Sequence, residues 1–186
     1  MGNGARSARN AFLIAVPAIV VLIFIFALLG HLIGAALGIP TRLGLPLAVR
    51  VFGGIVLSAG LVLIGWVFHC RKPVNIIVST FLTMRKAVTG TLSVDKSQRT
   101  EHLNVSGPHK FVRHPMYFAA VVMVVGWWLM LDYTFLLLMA GLLILWFNLV
   151  VIAMEERELR AVFGEEYERY CKSVPRFIPS LRRRSR

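Results

Sequence analysis

The stretch KFVRHPMY, Lys110 to Tyr117, sets Lys110, Arg113 and His114 immediately before Pro115 and a long uncharged apolar run. Proline is favoured at the first position of a helix, where its missing N–H is no loss, so Pro115 opens a helix and His114 is its N-cap. A helix N-terminus carries unpaired N–H groups and about half a positive charge; three neighbouring cations deepen that potential, which an anionic ligand would relieve. A second stretch, MEERELRAVFGEEYERYCKSVPRFIP from Met154, brings two carboxylates, Glu155 and Glu156, followed by Leu159, Phe163, Tyr167 and Tyr170 at helical spacing. Held together, these groups would form a mixed-charge pocket suited to a zwitterionic, partly aromatic ligand. Each group also has a plainer reading: basic residues at a membrane boundary snorkel to headgroups, glutamates pair with arginines, and aromatic stripes pack.

The elements that must position these residues are membrane helices. A chain of 186 residues with 57% hydrophobic content and mean hydropathy +0.70 exceeds what a soluble domain carries. The formal net charge of +12 would fit nucleic acid, but the cations lie between uncharged runs and beside no nucleic-acid module, so membrane topology explains them better and no nucleic-acid partner is expected. Cys70 and Cys171 form no CxxC or His/Cys pattern, which argues for free thiols and against a disulfide framework or a metal site. The start MGNGARS misses the myristoylation pattern at Arg6, and the RRRSR end has no prenylation box, so no lipid anchor is expected.

Uncharged runs at Asn10–Thr41, Val51–Cys70, Pro115–Leu131 and Tyr133–Met154 predict an all-α integral membrane protein with about four transmembrane helices. The first helix is placed at about Ala11 to Leu29, with GHLIGAALGIP as its exit; its apolar run exceeds a signal-peptide core, which favours a retained anchor. Gly30, Gly34 and Gly38 recur every four residues, either to let helices approach or simply as loop glycines, the latter being favoured. Of the 21 Lys and Arg, only Arg42 and Arg50 fall between the first two runs. The positive-inside rule therefore puts both termini, the central loop and the site in the cytoplasm, of a bacterial inner membrane or an endoplasmic reticulum. Only a residue or two around Asp132 and Tyr133 separates the last two spans, so these form a helical hairpin, with Trp127, Trp128 and Tyr133 as an interfacial belt and Trp146 packing mid-span. The hairpin brings Arg113 and His114 beside Glu155 and Glu156. The third run is 17 residues, about 25 Å at 1.5 Å per residue, short of a roughly 30 Å hydrocarbon core.

Within one domain overall, the chain divides into N-terminal transmembrane helices (1–70), a cytoplasmic loop (71–114) and a helical hairpin with a C-terminal amphipathic cytoplasmic helix (115–186). VNIIVSTFLTM, Val74 to Met84, is too short to cross a bilayer and reads equally as an interfacial segment or a cytoplasmic helix or strand. The basic tail suits anionic headgroups.

The residues GPHKFVRHPMY (Gly107–Tyr117) and EERELRAVFGEEYERYCKSVPRFIP (Glu155–Pro179) resemble the isoprenylcysteine carboxyl methyltransferase family and its phospholipid methyltransferase relatives, over about the last 80 residues. The resemblance implies an integral membrane enzyme that uses S-adenosylmethionine without a G-x-G-x-x-G strand–turn–helix. By the family's motifs, cofactor binding is carried to His109, Arg113, His114, Pro115, Tyr117, Glu155, Glu156, Tyr167 and Tyr170, with Arg176 a weaker candidate. Arg113, His114, Glu155 and Glu156 are the expected catalytic group. His109 stands where the family often has an aromatic residue, which makes its role less secure.

On that reading, Arg113 and the helix N-terminus would hold the methionyl carboxylate, a glutamate the ammonium or ribose hydroxyls, and aromatic rings the adenine or sulfonium. The acceptor would be lipophilic and enter from the bilayer. An isoprenylcysteine carboxylate is first choice and a lipid amine second; an amine or thiol would need a proton removed by His114 or a glutamate. The rival readings are a noncatalytic membrane protein binding anionic lipid or a partner protein, and a transporter, for which His31 and His69 offer little.

Overall fold

The computed structural model describes residues 3–70, 103 and 105–179, with the side chains of residues 3–12 left aside. The segment Val74 to Met84 and the RRRSR tail lie outside the described residues. Among those described, regular structure is helical throughout: α1 (Asn3–Ala36), α2 (Leu47–Cys70), a 3₁₀ turn (Gly107–Lys110), α3 (Pro115–Leu131), α4 (Thr134–Trp146), a π-turn (Phe147–Val151), α5 (Ile152–Phe163) and α6 (Glu165–Ser173). Three helical stretches are long and apolar enough to cross a bilayer, Leu13–Ala36, Leu47–Cys70 and the continuous Thr134–Phe163; α3 is a shorter apolar helix.

Two helix boundaries differ from the sequence reading. α1 runs on to Ala36 rather than ending near Leu29, because Gly30 and Gly34 are helical residues used for close packing. A Cβ on Gly30 would sit 2.7 Å from the Phe135 carbonyl oxygen, and one on Gly34 would sit 3.3 Å from a Leu138 methyl. Gly38 is the loop glycine: at φ +65° it ends the helix with Gly38 N–H bonded to Ala35 C=O (3.2 Å) and Ile39 N–H to Gly34 C=O (2.9 Å). α2 starts at Leu47 and takes Arg50 into the helix, where its Nε–H donates to the Met130 carbonyl at 3.0 Å.

The helices pack in the spatial order α2, α3, α4, α1. α2 and α3 run antiparallel with almost no side chain between them: Gly53 lies against Met130 and Leu129, Gly126 against Leu57, and Gly60 against Met123, each added Cβ falling 2.5–2.7 Å from a neighbouring atom. In hydrocarbon, where burying an apolar side chain gains little, this close backbone contact is what holds two helices together. On the other side, Phe26 of α1 meets Trp146 edge-on at 5.9 Å, within a core of Val121, Val124, Leu136, Met139, Ala140 and Leu143.

α3 and α4 are joined by Asp132 and Tyr133, as the hairpin reading requires. Asp132 adopts a left-handed conformation (φ 59°) and its buried carboxylate accepts the backbone N–H groups of Leu43 (3.2 Å), Gly44 (2.8 Å) and Leu45 (3.1 Å). Burial raises its pKa, but these three donors and Arg50 outweigh that and hold it below the ordinary carboxylate value. Arg42 lies over the Tyr133 ring, 4.4 Å from its centroid, so Arg42 and Arg50 are both used at this end. At the opposite end, Gly107 at φ +57° fits against Cys70, bringing the close of α2 to the start of the 3₁₀ turn.

Candidate functional site

The head of α3 and the far end of the α4–α5 helix meet as the hairpin geometry demands. Pro115 opens α3 with His114 at its N-cap, whose side chain makes no capping bond and is turned instead to the carboxylates of α5. The π-turn contributes to that meeting: relative to α-helical register it inserts one residue, which rotates everything beyond by about 100° and sets the face on which Glu155 and Glu156 emerge. α5 ends at Phe163, and Gly164 (φ 52°) turns the chain into α6, whose Tyr167 and Tyr170 pack with Leu159, Phe163 and Val174. The fourth apolar run and the first part of the expected C-terminal helix are thus one helix, and the break falls at Gly164.

Glu156 is the centre of the cluster. It is 4% exposed, yet three cations share its Oε1: Arg113 Nη1 at 2.9 Å, His114 Nε2 at 3.3 Å and Arg176 Nε at 3.3 Å. A fourth, Arg160, lies 3.5 Å from Oε2 and also binds Glu168 at 2.8 Å across the Gly164 bend. An isolated buried carboxylate would cost several kcal/mol of desolvation, so the cations are the condition of its burial. Glu155 differs: its side chain is 28% exposed, and it pairs with His114 Nδ1 at 3.3 Å.

His114 is therefore held between two carboxylates, one at each ring nitrogen, an arrangement that favours the doubly protonated ring. Burial works against the charge, but Glu155 and Glu156 outweigh it and lift the pKa above the ordinary 6.5. Burial also pushes the Tyr167 and Tyr170 hydroxyls far above their ordinary 10.0, so both remain protonated donors.

The chain beyond α6 closes the cluster. Arg113 N–H donates to the Pro175 carbonyl at 2.9 Å, Arg113 Nη1 reaches Cys171 Sγ at 2.7 Å, and Phe118 meets Phe177 edge-on at 6.0 Å. Beneath the charges lies an apolar layer in which Tyr117 packs on Phe147 (4.8 Å) and His114 (5.9 Å), with Val151, Ile152, Met116, Trp146 and Phe177 around it.

Of the residues singled out by sequence, Arg113, His114, Glu155 and Glu156 form one contact set, with Pro115 and Tyr117 directly below. Tyr167 is buried beside them. Tyr170 and His109 stand one step back: the Tyr170 hydroxyl donates to the His109 carbonyl at 2.7 Å, and the His109 ring nitrogen faces the Arg113 carbonyl at 3.2 Å, a strut between α6 and the 3₁₀ turn. Lys110, at the end of that turn, is absent from the ion pairs around Glu156. Arg160 was missed, although its position four residues after Glu156 on a helix is a readable pairing signal. Cys171 and the ion pair of Arg176 had no such signal, since a return of the chain after a helix end brings them in. Among the described residues, no group of three or more His, Cys, Asp or Glu could hold a metal ion.

Comparison with known proteins bears on this arrangement. The description of the phospholipid methyltransferase family matches residues 49–166, a span that contains α3, the π-turn and α5. The methanethiol S-methyltransferase of Crocosphaera subtropica (strain ATCC 51142 / BH68) is 30% identical over 141 residues, covering 71% of this chain and 50% of the relative. The methanethiol S-methyltransferase of Pseudomonas deceptionensis is 37% identical over 90 residues, 48% of this chain and 31% of the relative. The chain thus spans about half or less of the length of these relatives. No solved structure matches it.

Proposed function

This chain belongs to the phospholipid methyltransferase family, and we propose that it is a membrane-embedded methyltransferase that uses S-adenosylmethionine and methylates a lipophilic thiol. The observation that carries the reading is the meeting of Arg113 and His114, before α3, with Glu155 and Glu156 of α5 at 2.9–3.3 Å. It is a compact mixed-charge site above an aromatic layer, and it fits a zwitterionic, partly aromatic cofactor. The names of the two relatives favour a thiol acceptor over the isoprenylcysteine carboxylate expected from sequence.

When bound, S-adenosylmethionine supplies an electrophilic methyl group on a sulfonium, whose transfer is an in-line displacement governed by alignment and exclusion of water. Arg113 and the first N–H groups of α3 hold the methionyl carboxylate. Glu155, exposed on one side and held by His114 on the other, takes the ammonium or ribose hydroxyls. Glu156, surrounded by cations, keeps Arg113 and His114 in place. Tyr117 and Phe147 form the apolar layer beneath the charges, and the lipophilic acceptor would enter from the bilayer. A thiol must lose its proton before transfer, and both ring nitrogens of His114 already face carboxylates, which leaves that ring no free acceptor for it. On this proposal α3 is a fourth crossing, and the positive-inside rule favours a site at the cytoplasmic boundary.

Calorimetric titration of the purified protein with S-adenosylhomocysteine tests the pocket: binding by the wild type, and loss of at least about tenfold in affinity in Arg113→Ala and Glu155→Ala, as expected for removing a charged hydrogen-bonding partner. Equal heats in all three proteins would defeat it. Transfer of a labelled methyl group to an alkanethiol, a prenylated cysteine and an ethanolamine phospholipid then identifies the acceptor. A thioether as main product supports the proposal; a base-labile ester or a methylated amine replaces the thiol with that acceptor.

A further inference from the structure

Asn148 carries the one amide side chain between Phe135 and Met154, an otherwise apolar part of the continuous helix Thr134–Phe163. A polar side chain in hydrocarbon is costly and is kept where it satisfies another group. Asn148 stands inside the π-turn Phe147–Val151 and outside the ion pairs around Glu156. Its Nδ2–H donates to the Ile144 carbonyl at 2.9 Å, on the exposed side of the helix.

That carbonyl lies where the helix changes register. At the near edge of the turn the Phe147 N–H is shared between the Leu143 and Ile144 carbonyls; at the far edge the Ile152 N–H reaches back five residues to the Phe147 carbonyl. The Ile144 oxygen thus meets the Phe147 N–H from only three residues away and in a shared bond, a poorer geometry than the α-helical one. In hydrocarbon no water makes up such a shortfall. The Asn148 amide adds a donor from within the turn, a side-chain bond that competes with the regular i−4 ladder. It thereby favours the π-turn over an unbroken α-helix, in which the main chain alone would satisfy the Ile144 carbonyl.

The extra residue matters beyond the turn. Val151 and Ile152 are buried against Tyr117, Leu149 is 72% exposed, and Glu156 lies 2.9 Å from Arg113. In an unbroken α-helix every residue past the turn would be rotated by about 100°, which takes Glu156 off the face that meets Arg113 and His114.

We propose that Asn148 is a positioning residue: its side-chain bond to the Ile144 carbonyl holds the π-turn, and the π-turn keeps Glu155 and Glu156 in register with Arg113 and His114. The consequence for ligand binding rests on the methyl-donor reading above, whereas the register itself does not.

Register is read first, without a ligand. Ile152 is 0% exposed, so in a protein lacking Cys70 and Cys171 the thiol of Ile152→Cys is shielded from a small permeant maleimide while Asn148 is present. It becomes reactive when Asn148→Leu is added, and is shielded again when Leu149 is also deleted, because removing one residue from an unbroken helix restores the original face. Equal reactivity with and without Asn148 overturns the proposal. S-adenosylhomocysteine binding is then titrated in nanodiscs with the native cysteines in place. Asn148→Leu loses about tenfold or more in affinity, and deletion of Leu149 in that variant recovers most of it. Asn148→Ser, whose hydroxyl donates to the same i−4 carbonyl, stays within about threefold of wild type. Binding that Asn148→Leu leaves intact overturns the assignment, as does a loss that neither the deletion nor Asn148→Ser repairs, since the amide would then act by direct contact or through general stability. A wild type that binds no nucleoside removes the methyl-donor reading, and the maleimide result then decides the role of Asn148 by itself.

Discussion

Glu156 shares one carboxylate oxygen among Arg113, His114 and Arg176, so the protonation of His114 is part of the balance that holds the site together. The folded protein raises the His114 pKa above its ordinary 6.5. Its contribution to stability is therefore fully present below that ordinary value and is lost as pH rises through the raised one. Thermal unfolding followed across about pH 6 to 9 should show the wild type losing stability toward alkaline pH, with the slope reduced in His114→Gln. A profile that is the same in both proteins would mean that His114 is neutral in the folded state. The residue types of this cluster were legible in the sequence only in combination, because each of Arg, His and Glu alone has a plainer use at a membrane boundary. The separate roles of Glu155 and Glu156 were not legible, since two adjacent glutamates look alike until burial assigns one to the cations and leaves the other open.

Among the helices, the glycines divide by what lies beside them. An added Cβ at Gly126 would stand 2.5 Å from the Leu57 backbone nitrogen, whereas at Gly141 it would meet nothing within 4 Å. Gly126→Leu should push α2 and α3 apart and lower stability by about 1–3 kcal/mol or more, as overpacking does. Gly141→Ala should raise it by up to about 1 kcal/mol through helix propensity. Detergent unfolding of the two variants checks the contrast, and equal effects would contradict the α2–α3 interface. The spacing of Gly30, Gly34 and Gly38 was visible in the sequence, but not that two of them sit inside a helix and the third ends it. That division depends on α4 lying against α1, a contact between residues about a hundred positions apart.

Across the whole molecule, the charged cluster lies at the end opposite the Asp132 turn, where Arg42 and Arg50 are tied to Tyr133 and Met130. The positive-inside rule predicts that the cluster faces the cytoplasm. In oriented vesicles, a cysteine introduced at Leu43 in a protein lacking Cys70 and Cys171 should react with an impermeant maleimide from the outer face only. In the otherwise native protein, Cys171 should react from the cytoplasmic face only. Labelling of both from one side would place the two ends of the hairpin on the same surface and remove the four-crossing topology.

By itself the sequence determined the membrane setting, the hairpin and the residues that gather at its open end, because apolar run length, a two-residue turn and the position of Pro115 are local properties. Tertiary structure decided which carboxylate is buried, that the chain after α6 returns to place Arg176 and Cys171 beside Arg113, and that the Asp132 carboxylate binds the amides of Leu43, Gly44 and Leu45. These depend on segments distant in the chain coming into contact, and a charge or an amide in a sequence does not say which remote partner will take it out of water.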